Sequence, residues 1–454
     1  MRMFALALRS LRRRAGGFAA TFVSMVFGAA MVMAFASLVD TAVGNGVPSD
    51  SRRSLITMAV VVGGWGLIMV VFSVISTLTL VVRQRGPEMA LLKQVGATPM
   101  QIGRMIVSET AVVALAAGLT AILPAAAAGR ALLSLLISTG RVADGVDYAF
   151  GAYALGIGLG VTFTAAIIAA VITVRGAVRP TAAESIRNAA AGDARMGRRR
   201  KAAAVVFLVL GASLAVTTAT AMRGKGIDAM QTAGQTSIWV SIGLALAGPA
   251  LIGRVTAALA RPLERVAGVP AYLTVQYVRR RSGRLATTLM PIILFTGIAT
   301  GTLYMQWIEN AATAASGAVV TADDKTVETL NFTVIGMLVV FSAIMLINTL
   351  VAAMTYRRGE FARQRLAGIT PGQVLQTVAV EGVILTLLGV VSGAVAGLFT
   401  IVPYSIARTG HALPDVGAGT YLGVVAVAAV LTLGTGLGAA RRALRTPAVE
   451  AVTR

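Results

Sequence analysis

Long apolar runs, broken at intervals by short polar stretches, dominate the chain. Ten of them reach the ~20 residues that a helix needs to cross a hydrocarbon core. They lie at about 18–39, 55–82, 106–138, 149–174, 202–222, 236–253, 285–308, 330–356, 375–403 and 417–440. Inside them the charged residues are Glu109, Arg130 and Glu381. A bilayer offers the backbone no hydrogen-bond partner, so runs of this kind predict helices. The expected fold is an all-α polytopic membrane protein with ten transmembrane helices.

The polar connections alternate in charge. Segments 1–17, 83–105, 175–201, 254–284, 357–374 and 441–454 carry 32 of the 40 basic residues. Segments 40–54, 139–148, 223–235, 309–329 and 404–416 hold 7 basic residues and 10 of the 18 acidic ones. Basic loops stay cytoplasmic, which predicts that both termini are cytoplasmic and that the other set faces outward. The outward connections are short, about 20 residues at most, so no large extracellular domain is expected. The N-terminal run is long enough to span, which predicts an anchor in place of a cleaved signal peptide.

Composition sharpens this picture. Hydrophobic residues make up 56% of the 454-residue chain and charged residues 13%, against roughly a quarter charged in soluble proteins. A soluble enzyme is excluded. The net charge of +22 would suggest nucleic acid in a soluble protein; sorted to one membrane face, it reads as orientation and contact with lipid headgroups. There is no Cys and one His, His411, which excludes disulfides, thiolate metal sites and a His cluster. Arg outnumbers Lys 36 to 4, a bias expected of a GC-rich genome.

The chain also aligns with itself. Residues 83–109 lie over 355–381 without a gap at an offset of 272, pairing Arg85 with Arg357, Glu88 with Glu360 and Lys93 with Arg365. The same offset pairs Gly96 with Gly368, Thr98 with Thr370, Pro99 with Pro371, Gln101 with Gln373 and Glu109 with Glu381. Residues 11–21 lie over 278–288 at an offset of 267. The expected domains are a first four-span unit at 1–180, a basic linker with spans five and six at 181–265, and a second four-span unit at 266–454. Two units entering and leaving on the same side form a parallel repeat.

Each repeated polar segment predicts a corner. Gly96 and Gly368 can stop one helix. Thr98 and Thr370 can cap the next, with Pro99 and Pro371 in its first turn. A bare turn needs the Gly and Pro but not the recurring Glu, basic residue and Gln, so a partner-docking surface is expected. Glu109 and Glu381, in the first turns of their spans, recur symmetrically and suggest a structural pairing that holds the corner; a proton or substrate role is the alternative. Arg130 could reach outward to headgroups or meet an anionic substrate. Gly389, Gly393 and Gly397 match Ala117, Ala121 and Ala125, rows of small residues that let helices approach closely.

These residues resemble a family. Glu88-x-Ala-Leu-Leu-Lys-x-x-Gly-Ala-Thr-Pro-x-Gln101, followed by a span opening with a Glu, is similar to the signature of FtsX-like permeases, the membrane subunits of type VII (mechanotransmission) ABC transporters. The basic entries at 8–14 and 277–281 resemble the amphipathic helix before such units. The resemblance covers both copies, and the layout is similar to ten-span Gram-positive members. It implies that 83–104 and 357–376 are coupling helices seated on a cytoplasmic ATPase dimer, with Glu88, Lys93, Gly96, Thr98, Pro99 and Gln101, and Glu360, Arg365, Gly368, Thr370, Pro371 and Gln373, at the contact. ATP and Mg would be bound by that partner; this chain has no phosphate loop, its one Gly-Lys pair being Gly224-Lys225. The sequence departs from family members that carry a large extracellular domain after span one or between spans seven and eight.

The expected function is that of a non-catalytic permease subunit in the plasma membrane of a high-GC Gram-positive bacterium, exporting or extracting a drug, lipid or peptide antibiotic. The alternative is relay of ATPase motion to an extracellular lipoprotein, a cell-wall hydrolase or a sensor kinase, without transport. A proton-driven carrier is disfavoured, because no acid lies near a midplane.

Overall fold

A computed structural model describes residues 15–60, 63–64, 67, 70–71, 91–92, 94–178, 197–225, 227–254, 282–315, 322–414 and 417–447. Among these residues all regular structure is helical. In chain order the helices are α1 (Ala15–Val43), α2 (from residue 49, described without a break to 60), α3 (Pro99–Ser138), α4 (Ala152–Val178), α5 (Arg198–Thr220), α6 (Ile227–Leu246), α7 (Gly248–Arg254), α8 (Ser282–Ala315), α9 (Ala322–Tyr356), α10 (Arg358–Leu366), α11 (Pro371–Thr409) and α12 (Gly419–Leu444).

Eight helices among the described residues are long and apolar enough to cross a membrane. The pair α6 and α7, bent by 65° at Ala247, makes a ninth if counted as one span. The chain is a multi-pass membrane protein. Of the ten expected runs, 55–82 falls largely outside the described residues.

Several helices outrun the apolar stretches that announce them. At 1.5 Å per residue the 40 residues of α3 extend to about 60 Å, roughly twice a hydrocarbon core. Helix α3 therefore starts at Pro99, seven residues before its apolar run. Helices α8 and α9 reach to Ala315 and back to Ala322, so most of the expected 309–329 connection is helical.

The chain divides into two compact units: residues 1–185 with 320–334, and residues 186–319 with 335–454. In the first, α1, α3 and α4 pack together. Ala29, Ala30 and Met33 of α1 meet Ala121 and Ala125 of α3, with Leu159 of α4 against them. A Cβ on Gly158 of α4 would collide with Met33, so the close approach of α4 to α1 requires glycine there.

The second unit is built around α8, whose apolar stretch is 89% buried. Leu289, Ile292 and Phe295 of α8 meet Leu346 and Leu350 of α9, Leu385 and Leu388 of α11, and Ala428 of α12. Helices α5 and α6 belong to this unit. Small residues let α6 lie against α8 and α11: Gly301 faces Ser237, and Thr400 Oγ1 of α11 donates to the Ala233 carbonyl of α6 at 3.0 Å.

Candidate functional site: two capped corners and a buried ion pair

Both predicted corners form. In the first, the amide of Val95 donates to the Leu91 carbonyl at 3.1 Å and that of Ala97 to Leu92 at 2.9 Å. In the second, Ala367 donates to Arg363 at 3.0 Å and Ile369 to Gln364 at 3.1 Å. Gly96 at φ +92° and Gly368 at φ +93° take the left-handed conformation that this closure requires. Thr98 and Thr370 follow with the same backbone angles, φ −73° and ψ 153°.

Each threonine then heads a capping box. Thr98 Oγ1 accepts from the Gln101 amide at 3.3 Å, and Gln101 Oε1 accepts from the Thr98 amide at 2.9 Å. Thr370 and Gln373 make the same two bonds at the same lengths. The glutamines are therefore capping groups in both corners, and Pro99 and Pro371 occupy the first turns of α3 and α11. Glu88 and Lys93 lie outside the described residues.

Apolar side chains crown both corners. Val95 is 88% exposed, Met100 67% and Leu366 58%, with Leu91 and Ile369 beside them. Behind the second crown the packing is tight: Phe361 and Val374 are buried with Met354, Val378, Ala440 and Ala443. Arg365 Nη1 donates to the carbonyls of Leu444 and Thr446, each at 3.1 Å, and so closes the end of α12.

Glu381, 2% exposed in the third turn of α11, is gripped by Arg357. Arg357 Nη1 donates to Glu381 Oε1 at 2.8 Å and to Oε2 at 2.9 Å. The same guanidinium lies 5.2 Å from the Phe361 ring centroid and 3.8 Å from Glu360 Oε2. The cation that meets this acid stands one residue outside the last turn of α9. Glu360 is itself drawn inward toward Arg357. Glu109 is buried to the same degree in α3.

The FtsX-like permease C-terminal family matches residues 60–180 and again 332–448, together just over half of the chain. This chain belongs to the FtsX-like permease family. The two matches begin 272 residues apart, the offset at which the two corners correspond. No curated protein matches the chain. FtsX-like permeases are non-catalytic membrane subunits that work with a cytoplasmic ABC ATPase.

The remaining polar groups of this FtsX-like permease fasten helix ends far from the corners. Arg130 sits over the Tyr148 ring at 5.6 Å, a cation–π contact, and Tyr148 Oη donates to Ser37 Oγ at 3.0 Å. Burial raises the Tyr148 hydroxyl above its ordinary range, against the opposing pull of Ser37 and Arg130. Asp40 of α1 accepts from the Tyr153 and Ala154 amides at 3.0 and 2.7 Å, capping α4 from another helix. In the second unit Arg408 holds both oxygens of Glu309, at 2.8 and 3.1 Å, and the buried Tyr404 hydroxyl donates to Glu309 Oε2 at 2.6 Å.

Sequence reasoning missed these ties. Asp40, Glu309 and Arg408 read as loop charges, and their partners are about 100 residues away. Arg357 was within reach of sequence: a buried acid needs a cation, and Arg357 recurs with Arg85 in the self-alignment.

Proposed function

We propose that this permease couples a separate cytoplasmic ATPase to the export or extraction of an amphipathic compound, such as a drug, lipid or peptide antibiotic. The observation that carries the reading is the pair of corners. Two segments 272 residues apart take one backbone path, carry one cap and expose an apolar crown, as two docking points for a dimeric motor would. The basic residues around them fit a cytoplasmic face. ATP and Mg belong to the partner; the corners move with it and rock two parallel four-span units.

Substrate handling is favoured over relay to an exterior partner by the opposite end of the helices. The described connections there are short, the longest being residues 139–151, and offer little surface to an extracellular protein.

The sequence contains no cysteine, so single cysteines at Val95 and Ile369 give clean cross-linking sites. The expected result is cross-linking of both to a copurifying ATPase, identified by mass spectrometry, and resistance to amphipathic compounds that is lost when the ATPase cannot hydrolyse ATP. Absence of an ATPase from the purified complex would overturn the reading. An ATPase together with an extracellular hydrolase or sensor kinase, and no resistance, would move it to relay.

A further inference from the structure

The helix that descends to the second corner is broken just above it. Helix α9 ends at Tyr356, Arg357 leaves helical geometry at φ −82° and ψ 2°, and α10 starts at Arg358. The break is a single residue, bridged by the Arg357 amide to the Met354 carbonyl at 3.1 Å and by the Phe361 amide to the Arg357 carbonyl at 2.9 Å, and this altered turn is the joint at which α10 can swing against α9. Packing beside the joint is incomplete. A small cavity lined by Thr288, Leu350, Leu385, Thr432 and Gly436 adjoins Glu381, and the buried Thr432 hydroxyl has no hydrogen-bond partner.

We propose that Arg357 and Glu381 are a positioning pair that locks this joint to α11, so that α10, the corner and the start of α11 move as one lever. The guanidinium stands at the break and reaches both carboxylate oxygens eleven residues beyond the cap of α11. Phe361 seats the middle of α10 in the core, and Arg365 ties its last turn to the end of α12. The lever is thus held at its pivot, its middle and its tip. Apolar residues of similar volume often stabilise a buried site as well as an ion pair does. What the pair adds is a directional tie between the joint and α11, beside the apolar contact that Phe361 makes with Val374 and Val378 of the same helix.

The proposal rests on the functional reading above, and its test separates the two. Spin labels are placed on engineered cysteines at Val216 and Leu413, exposed positions toward the opposite end of the same unit, in the permease copurified with its ATPase. ATP is expected to change the distance between them. In R357A and E381A the ATPase stays bound and turns over ATP, while most of that change is lost. The charge swap R357E/E381R restores it. R357K, which keeps the charge but loses the flat face over Phe361, falls between and carries the test if the alanine variants do not fold. Full amplitude in R357A or R357K, or a folded swap variant that stays uncoupled, would overturn the positioning role. A wild-type complex with no ATP-dependent change, or with no ATPase, would count against the functional reading instead.

Discussion

The seam between α1 and α3 and the seam between α8 and α11 occupy corresponding places in the two units, yet they are filled differently. At the offsets of the self-alignment, Met25, Ala29 and Met33 of α1 correspond to Ile292, Thr296 and Thr300 of α8. Ala117, Ala121 and Ala125 of α3 correspond to Gly389, Gly393 and Gly397 of α11. Ala29 shares a core cluster with Ala121 and Ala125. In the second unit Thr296 faces Gly393, and its Oγ1 donates to the Gly389 carbonyl at 3.1 Å. At the middle level the methyl lost from Ala121 to Gly393 is made up by Thr296 standing where Ala29 does. The bulkier side chains stay on α1 and on its counterpart α8, and the glycines of α11 bring its backbone closer than the alanines of α3 allow.

The deepest break in the comparison should come where the units look most alike. Glu109 and Glu381 are both buried, and removing one partner of a buried ion pair costs about 3–5 kcal/mol by stranding the other charge. R357A should lower the thermal unfolding temperature of the detergent-purified protein by a large amount, and E381A by less, because Arg357 is less buried than Glu381 and keeps Glu360 beside it at 3.8 Å. If Arg85 serves Glu109 as Arg357 serves Glu381, R85A should reproduce E109A, and the double variant should add little to either. Full additivity of R85A and E109A would show that the two acids are held differently.

The seams sharpen the comparison at an intermediate size. A Cβ at Gly393 would overlap the Thr296 hydroxyl and come within 2.9 Å of the Gly297 amide nitrogen. G393A should therefore destabilise by about 1–3 kcal/mol through overpacking. Adding T296A removes the hydroxyl overlap but leaves the Cβ of residue 296 at 2.6 Å and the Gly297 amide nitrogen at 2.9 Å from the new methyl, so it should recover only part of that loss. It also gives up the hydrogen bond to Gly389, about 0.6 kcal/mol for such a bond within a membrane. The converse variant A121G should cost about 1 kcal/mol through chain entropy, with no clash to relieve. Equal penalties for G393A alone and for the double variant would mean that the Thr296 hydroxyl is not what keeps a side chain out of position 393.

How much of this was legible depended on range. The corners are local chemistry: a Gly, a Thr, a Pro and a Gln within six residues dictate the turn and its cap, and both formed as the sequence predicts. Buried acids were legible because a carboxylate in an apolar run stands out. Helix ends were not, because hydropathy registers the apolar middle of a helix and is blind to polar turns beyond it. That is why α8 runs on to Ala315 and α9 starts back at Ala322, inside what hydropathy reads as a connection at 309–329. Arg365 showed the limit most clearly. It matches Lys93 in the alignment and read as a docking cation, while its guanidinium closes carbonyls 79 and 81 residues away. No local pattern announces a partner at that distance.

The smallest expected effect is the most exacting test of likeness. Thr98 and Thr370 have the same backbone angles and the same two cap bonds, so T98A and T370A should each cost about 1 kcal/mol of stability, as loss of an N-cap does. Serine at either position keeps the hydroxyl and should be nearly neutral. Both threonines are exposed, so water can take over the freed amides and neither variant should disturb the core. The effect on coupling should also match, because the cap sets the angle at which each crown is presented. A larger loss from T370A than from T98A would show that the second corner leans on its cap more heavily than the first. That outcome would locate the difference between the units at the corner, where their bonds are alike, instead of at the seam, where they visibly diverge.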